Sequence, residues 1–401
     1  MSQGECARWS LLSQLSALRR ERYERQSSLS RISTAARATP FAQMAAGQRG
    51  GEERPGWSRA LPGRETKDVS AIGFGASPLG GVFGHADEHE AALAVDRAFS
   101  RGISLFDTSP FYGSGASEQA LGRCLAASES VNASPRSSLY LCSKVGRYGP
   151  SSFDFSGEAV RKSVFTSLAR LGTAYLDAVH MHDVEFADLN HVTRSALPAL
   201  EQLRREGHVR NIGVSALPLS ALRKLFSLAK KDERGREGAP DLCLSYCRSN
   251  LLDSSFDQLL QPELASKHVG CINASPLAMG LLTNAGPPSW HPAPQSVKDA
   301  CGNAARHTDN LAGVALRSCI QRTRASCTLV GMRSRDEVDS NIDAAIEALS
   351  GKWQSELAHS LSGVETELDP VRGMTWPSGL AENNDFDLLA QEQRDELYRN
   401  A

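Results

Sequence analysis

The feature that most constrains this sequence is an alternation of strand and helix signals repeated eight times between residues 70 and 349. Short apolar runs at 70–75, 103–107, 139–144, 175–182, 209–214, 241–246, 269–274 and 327–330 read as buried strands. Segments with helical spacing follow each run. Val160, Val164, Leu168 and Leu171 fall on one helix face, and Leu197, Leu200 and Leu203 on another. The first helix opens with Asp87 as N-cap and Glu90 three residues on, and Gly102 stops it. Other helices are expected near 117–125, 219–228, 251–264, 311–320 and 336–349, with 61–65 as a turn and a long Pro-rich loop at 287–294. Strict alternation of this number predicts an α/β fold, a (β/α)8 barrel rather than an open sheet. Gly73-Phe74-Gly75 begins like a dinucleotide fingerprint, but Pro78 stands where its third glycine belongs, so an open dinucleotide-binding sheet is disfavoured.

A chain of 401 residues with 41% hydrophobic and 22% charged residues can build one barrel-sized core. The expected organisation is an N-terminal extension over 1–56, the barrel over 57–376 and a polar tail over 377–401. The extension is rich in Arg, Ser and Ala and reads as a disordered tail or as a transit peptide. The corresponding destinations are the cytoplasm, or a plastid or mitochondrion. A formal charge of -2 gives no footprint for nucleic acid or an anionic membrane, and no apolar run is long enough to span one. The nine cysteines are scattered without a secretory signal, which suits a reducing compartment. Cys243 and Cys247 lack a second ligand pair and read as small buried residues, and no metal site is expected.

In a barrel of this kind the chemistry sits where the strands end. Asp107, Lys144 and His182 end the second, third and fourth strands, and Tyr112 follows Asp107 by five residues. A phenol ordinarily ionises near pH ~10. A neighbouring ammonium favours the phenolate, and a carboxylate keeps that ammonium charged and oriented. A histidine at the same mouth can hold a substrate oxygen or help carry its proton. Such a set suits proton transfer at a hydroxyl or carbonyl carbon while a hydride moves to or from a nicotinamide. His180, two residues before His182, is expected to pack rather than react, since a two-histidine metal site has no evident third ligand.

The stretch Gly102-Ile-Ser-Leu-Phe-Asp-Thr-Ser-Pro-Phe-Tyr-Gly113 resembles the signature of the aldo-keto reductase family. Lys144, Tyr175-Leu-Asp177 with His182, Gly213-Val-Ser215 and Ser275-Pro276-Leu277 follow in that family's order. The resemblance covers about residues 59–376. Longer stretches, among them 73–80, 146–148, 274–282, 286–292 and 374–379, are similar to the family's plant and algal branch that oxidises L-galactose.

The resemblance implies that Tyr112 is the general acid and base, Lys144 its pKa modulator, Asp107 the partner of Lys144, and His182 the residue orienting the substrate. It implies oxidation of L-galactose at C1 to L-galactono-1,4-lactone, a step toward ascorbate, with NAD rather than NADP as hydride acceptor. Cofactor contacts are expected from Gly75, Ala76, Ser215, Tyr246, Ser275, Leu277, Gly331, Met332, Arg333, Glu337 and Asn341. Ala216 and Ala274 stand where the family often has an Asn and a stacking aromatic. Glu337 would repel a 2′-phosphate, or cap its helix with Ser334, while Arg333 and Arg335 could reach a phosphate. Tyr148, Phe155, Trp290 and His291 are expected at the substrate mouth, where aromatic faces suit sugar C–H surfaces. Two alternatives remain open at this point: NADPH-dependent reduction of aldehydes or ketones, and a non-catalytic, cofactor-binding regulatory subunit.

Overall fold

The computed structural model describes residues 57–229, 238–351 and 353–376. The N-terminal extension and the polar tail therefore lie outside the described residues. An antiparallel hairpin, β1 (Ser58–Leu61) and β2 (Lys67–Ser70), comes first. Eight parallel strands then close a barrel: β3 (Ile72–Gly75), β4 (Leu105–Asp107), β5 (Tyr140–Val145), β6 (Leu176–Met181), β7 (Val209–Ala216), β8 (Leu242–Tyr246), β9 (Gly270–Ala274) and β10 (Cys327–Gly331). They stand in sequence order, with β10 pairing β3.

Helices α1 (Glu88–Ser100), α2 (Ala116–Ala127), α3 (Gly157–Leu171), α4 (Leu197–Arg205), α5 (Leu219–Leu228), α6 (Gln261–Ser266), α7 (Gln295–Ala304), α8 (Leu311–Arg322), α9 (Arg335–Ser350) and α10 (Trp353–Leu368) accompany the strands. Their starts follow the expected chemistry. The Asp87 carboxylate accepts the Glu90 N–H at 2.8 Å, and Ser156 does the same for Ala159 at the head of α3. A cap of this kind stabilises a helix by about 1 kcal/mol. The α3 face of Val160, Val164, Leu168 and Leu171 is buried, as its spacing requires.

Four expectations need correction. The run 70–75 is not one strand: it breaks at Ala71, its first residue ends the hairpin, and the rest is β3. Leu61 and Val69 of the hairpin join the same apolar cluster as Leu105, Leu242 and Ile272, so the hairpin packs on the barrel interior. The helix expected over 251–264 begins only at Phe256. Before it, Asn250 takes the N–H groups of Leu252 and Asp253, and Asp253 takes that of Ser255. Side chains that satisfy nearby amides compete with a helix. The Pro-rich loop leads into α7 directly after Pro294, since proline suits the entry to a helix and not its interior. Finally, α10 follows the last barrel helix, where no element was expected.

No helix among the described residues is long and apolar enough to cross a membrane. The described cysteines are free and buried. Cys247 stands beyond the end of β8 with φ +59°, so it does not share a strand face with Cys243.

Candidate active site

The strand order divides the mouth of the barrel into two arcs. Strands β4, β5 and β6 carry Asp107, Lys144 and His182 at or just past their ends. Strands β7 to β10 and β3 carry the residues expected at the cofactor.

On the first arc, Lys144 is 1% exposed. Its ammonium donates to the Asp107 carboxylate and to the Thr108 carbonyl, the latter at 3.0 Å. It also stands 4.9 Å from the centre of the Tyr112 ring. Burial disfavours the ammonium, but Asp107, and then Tyr112, more than offset that, and the Lys144 pKa is raised. Lys144 is therefore a fixed cation. The Asp107 carboxyl is itself pushed up by burial, with Lys144 pulling the other way.

Tyr112 differs from expectation. The residue as a whole is half-buried, but its phenol is enclosed, and its pKa is raised rather than lowered. Desolvation is the larger effect, and Lys144 opposes it without overcoming it. The lysine acts in the predicted direction and loses to burial.

The His182 ring is held from several sides. Ser109 lies 3.1 Å from Nδ1, and the same hydroxyl accepts the Phe111 N–H at 3.1 Å. The edges of Phe111 and Tyr112 meet the ring at 5.9 and 5.8 Å. Asp183 Oδ2 stands 3.4 Å from Nε2. A bare lone pair would be repelled by that carboxylate, so the proton belongs on Nε2 and Nδ1 accepts from Ser109. Burial first, then Lys144 and Arg147, hold the His182 pKa well below its ordinary value, so the ring is neutral.

His180 is fully buried, and neither ring nitrogen has a hydrogen bond of normal geometry. It lies in register with Lys144 on one side and Gly213 on the other. A Cβ on Gly213 would stand 2.2 Å from the ring, so only glycine lets the two strands pair here. His180 is thus placed to pack, as the sequence suggested.

On the second arc, Gly75 and Gly331 are partners in adjacent strands. A Cβ on either would come within 3.0 Å of Val330 O or Pro78 Cγ. Neither position has room for a side chain, because the protein's own atoms fill that space, and α9 starts four residues after Gly331. Ala76 and Met332 are buried beside them, and Asn341 lies within α9. Ser215 is buried, with the Asp183 N–H 3.4 Å from its hydroxyl. Ser275 adopts φ +57° after β9, with Leu277 half-buried beyond it, and Tyr246 ends β8. A phenol, a fixed ammonium and a neutral imidazole offer hydrogen bonds and proton transfer but no hydride acceptor, so the set fits a nicotinamide partner.

Glu337 has the capping geometry that the sequence allowed. Its N–H reaches Ser334 Oγ at 3.3 Å, and its carboxylate accepts the Arg333 N–H at 2.7 Å. Arg333 donates to the Phe83 carbonyl at 3.0 Å, and Arg335 pairs with Glu90.

Of the four residues expected at the substrate, Trp290 and His291 stack on one another at 6.2 Å. Trp290 is 49% exposed and meets Phe83 at 5.8 Å. His291 is buried, with Nε2 3.1 Å from the Ala278 carbonyl and Nδ1 accepting the Ala293 N–H. Phe155 belongs to the main apolar core and fills the space beside Gly146. The Tyr148 hydroxyl reaches toward the Ala159 carbonyl of α3 at 3.4 Å.

Two residues at the mouth were not singled out from sequence. Arg147, directly after Gly146, stacks on Phe111 at 3.9 Å and pairs with Asp183. Asp183, directly after His182, is 3% exposed. The available signal was an acid adjoining a histidine at a strand end, one strand away from an arginine in the same position.

Comparison with known proteins gives the family. The family model described as "Aldo/keto reductase family" matches residues 71–358. The chain is 44% identical over 329 residues to an L-galactose dehydrogenase of Arabidopsis thaliana, covering 81% of this chain and 98% of that protein. It is 34% identical over 268 residues to a D-arabinose 1-dehydrogenase of Saccharomyces cerevisiae, covering 65% and 78%. An aldo-keto reductase of Bacillus halodurans, solved in its holo form, superposes with TM-score 0.58 at 21% identity, covering 82% of this chain and 98% of that one, and so shares the fold. The chain belongs to the aldo/keto reductase family.

Proposed function

We propose that this protein is an NAD-dependent sugar dehydrogenase that oxidises L-galactose at C1 to L-galactono-1,4-lactone, a step toward ascorbate. The observation that carries this reading is the buried Lys144, held between Asp107 and Tyr112 with His182 facing the same mouth. The similarity to an L-galactose dehydrogenase supports the choice of substrate.

A bound nicotinamide supplies the hydride acceptor, cradled by Gly75, Ser215, Ser275, Gly331 and the head of α9. The chain's own residues do the rest. His182 Nε2–H holds the C1 oxygen. Tyr112, in its ionised form, takes the C1 hydroxyl proton, and the Lys144 cation stabilises that form in a low-dielectric setting. Asp107 keeps Lys144 protonated and aimed. The arrangement also runs in reverse, with the neutral phenol as acid.

NAD is favoured over NADP by the placement of Glu337. Its carboxylate remains partly exposed beside the cradle while it caps α9, and it would repel a 2′-phosphate. The test is NADH formation by purified protein given L-galactose with NAD⁺ or NADP⁺. A rise with NAD⁺ that greatly exceeds the rise with NADP⁺ is expected. Reduction of aldehydes with NADPH, and no sugar oxidation, would replace this reading. Cofactor binding without turnover would make the protein a regulatory subunit.

A further inference from the structure

Ser109 is fully buried between the turn that carries Tyr112 and the ring of His182, and the proton-transfer set does not use it. Residues 109–112, Ser-Pro-Phe-Tyr, form a β-turn. The Ser109 carbonyl accepts the Tyr112 N–H at 3.1 Å, and serine first with proline second suits such a turn. The Ser109 hydroxyl accepts the Phe111 N–H at 3.1 Å and lies 3.1 Å from His182 Nδ1. One residue thus shapes the turn under Tyr112 and touches the histidine at the same mouth.

The direction of the contact with His182 follows from the protons available. A hydroxyl has one proton and two lone pairs, and a neutral imidazole has one N–H and one bare nitrogen. Phe111 fills one lone pair of Ser109. A proton on His182 Nδ1 would fill the other, and the buried Ser109 proton would then find no acceptor at either contact. Nε2 would also turn a bare lone pair toward Asp183 Oδ2, 3.4 Å away. With the proton on Nε2, Ser109 donates to Nδ1 and both conflicts disappear. Leaving a buried polar group unpaired costs more than one hydrogen bond contributes, so the second arrangement wins. A carbonyl or carboxylate at Nδ1 would do the opposite: it would hold the proton there and make Nε2 a base. A hydroxyl that donates makes Nε2–H a hydrogen-bond donor and leaves proton removal to Tyr112.

Building on the proposed sugar oxidation, we infer that Ser109 is a positioning residue that commits His182 to donating through Nε2 and fixes its ring relative to Tyr112. Both groups then meet one substrate oxygen. Ser109 itself touches no reacting atom.

The test joins a double-mutant cycle, Ser109→Ala with His182→Gln, to NMR of cofactor-free protein carrying ¹⁵N-labelled histidine. The signals that His182→Gln removes belong to His182. Wild type should show its proton on Nε2 and Nδ1 as a bonded acceptor, and Ser109→Ala should shift the Nδ1 resonance. In turnover of L-galactose, Ser109→Ala should lower kcat/KM about 5- to 10-fold, the range for one neutral hydrogen bond, but less than about 2-fold where residue 182 is already Gln. Ser109→Ala also strands the Phe111 N–H, so an equal loss in both backgrounds would assign Ser109 to the turn alone and overturn the inference. A wild-type His182 with its proton on Nδ1 would overturn it as well, and that reading does not need Ser109→Ala to fold. If wild type oxidises no sugar, the proposed function falls, while the proton's place on His182 and its response to Ser109→Ala still decide whether Ser109 acts on the ring.

Discussion

His180 offers a quantitative check on how the barrel interior treats charge. The ring is fully buried between Lys144 and Gly213, and burial first, then Lys144, lowers its pKa from the usual 6.5 to about 3. The sign follows directly. The folded state excludes the proton that the unfolded chain accepts below pH ~6.5, so stability is lost as pH falls through that value and not as it rises. From pH 7 to pH 5 the loss from His180 alone is about 2 kcal/mol, at roughly 1.4 kcal/mol per pH unit. His182, also held neutral by burial, acts in the same direction.

Replacing His180 with leucine removes one share of this loss. The difference in unfolding free energy between pH 7 and pH 5, read from urea titrations, should shrink by about 2 kcal/mol. Turnover should persist, because His180 touches no reacting atom. An unchanged pH dependence would refute the reasoning. Lost turnover would move His180 into the reacting set.

Three further outcomes follow from the same geometry. Lys144→Met leaves Asp107 buried without its cation, so it should lose turnover and about 3–5 kcal/mol of stability; adding Asp107→Asn should restore stability but not turnover, and parallel recovery of both would argue against a catalytic lysine. The Tyr112 pKa lies above its ordinary value, so the base form is scarce at neutral pH; kcat/KM for sugar oxidation should climb throughout the alkaline range, and a plateau near pH ~7 would place a different base in the site. Glu337→Arg removes a carboxylate and adds a cation beside the cradle, so it should raise the NADP-to-NAD ratio of kcat/KM; an unchanged ratio would leave Glu337 with its capping role alone.

The barrel was legible because period and order survive in sequence. The strands are apolar runs, most barrel helices carry a face of spaced leucines or valines, and Asp107, Lys144 and His182 stand at the ends of successive strands. What sequence did not reveal depends on contacts between repeats. The short β1–β2 hairpin looks like a turn until Leu61 and Val69 are seen against the barrel interior. Residues 251–255 have helical spacing, but Asn250 and Asp253 capture the amides that a helix would use. Phe155 reads as a mouth aromatic and instead fills the space beside Gly146. Arg147 and Asp183 stand on loops after neighbouring strands, and the register of β5 on β6, with Val145 beside Met181, makes them a pair. The sign of the Tyr112 shift was missed because a sequence names the nearby lysine but not the depth of burial that outweighs it.

The most direct test of the central claim is a comparison of wild type and Tyr112→Phe for NADH formation from L-galactose, with NADH binding measured on both. The account predicts that the variant binds NADH much as wild type does and has nearly no turnover, because only the proton-transfer hydroxyl is gone. Turnover at the wild-type rate would show that the proton leaves by another group, and would contradict the roles assigned to Tyr112, Lys144 and Asp107 together.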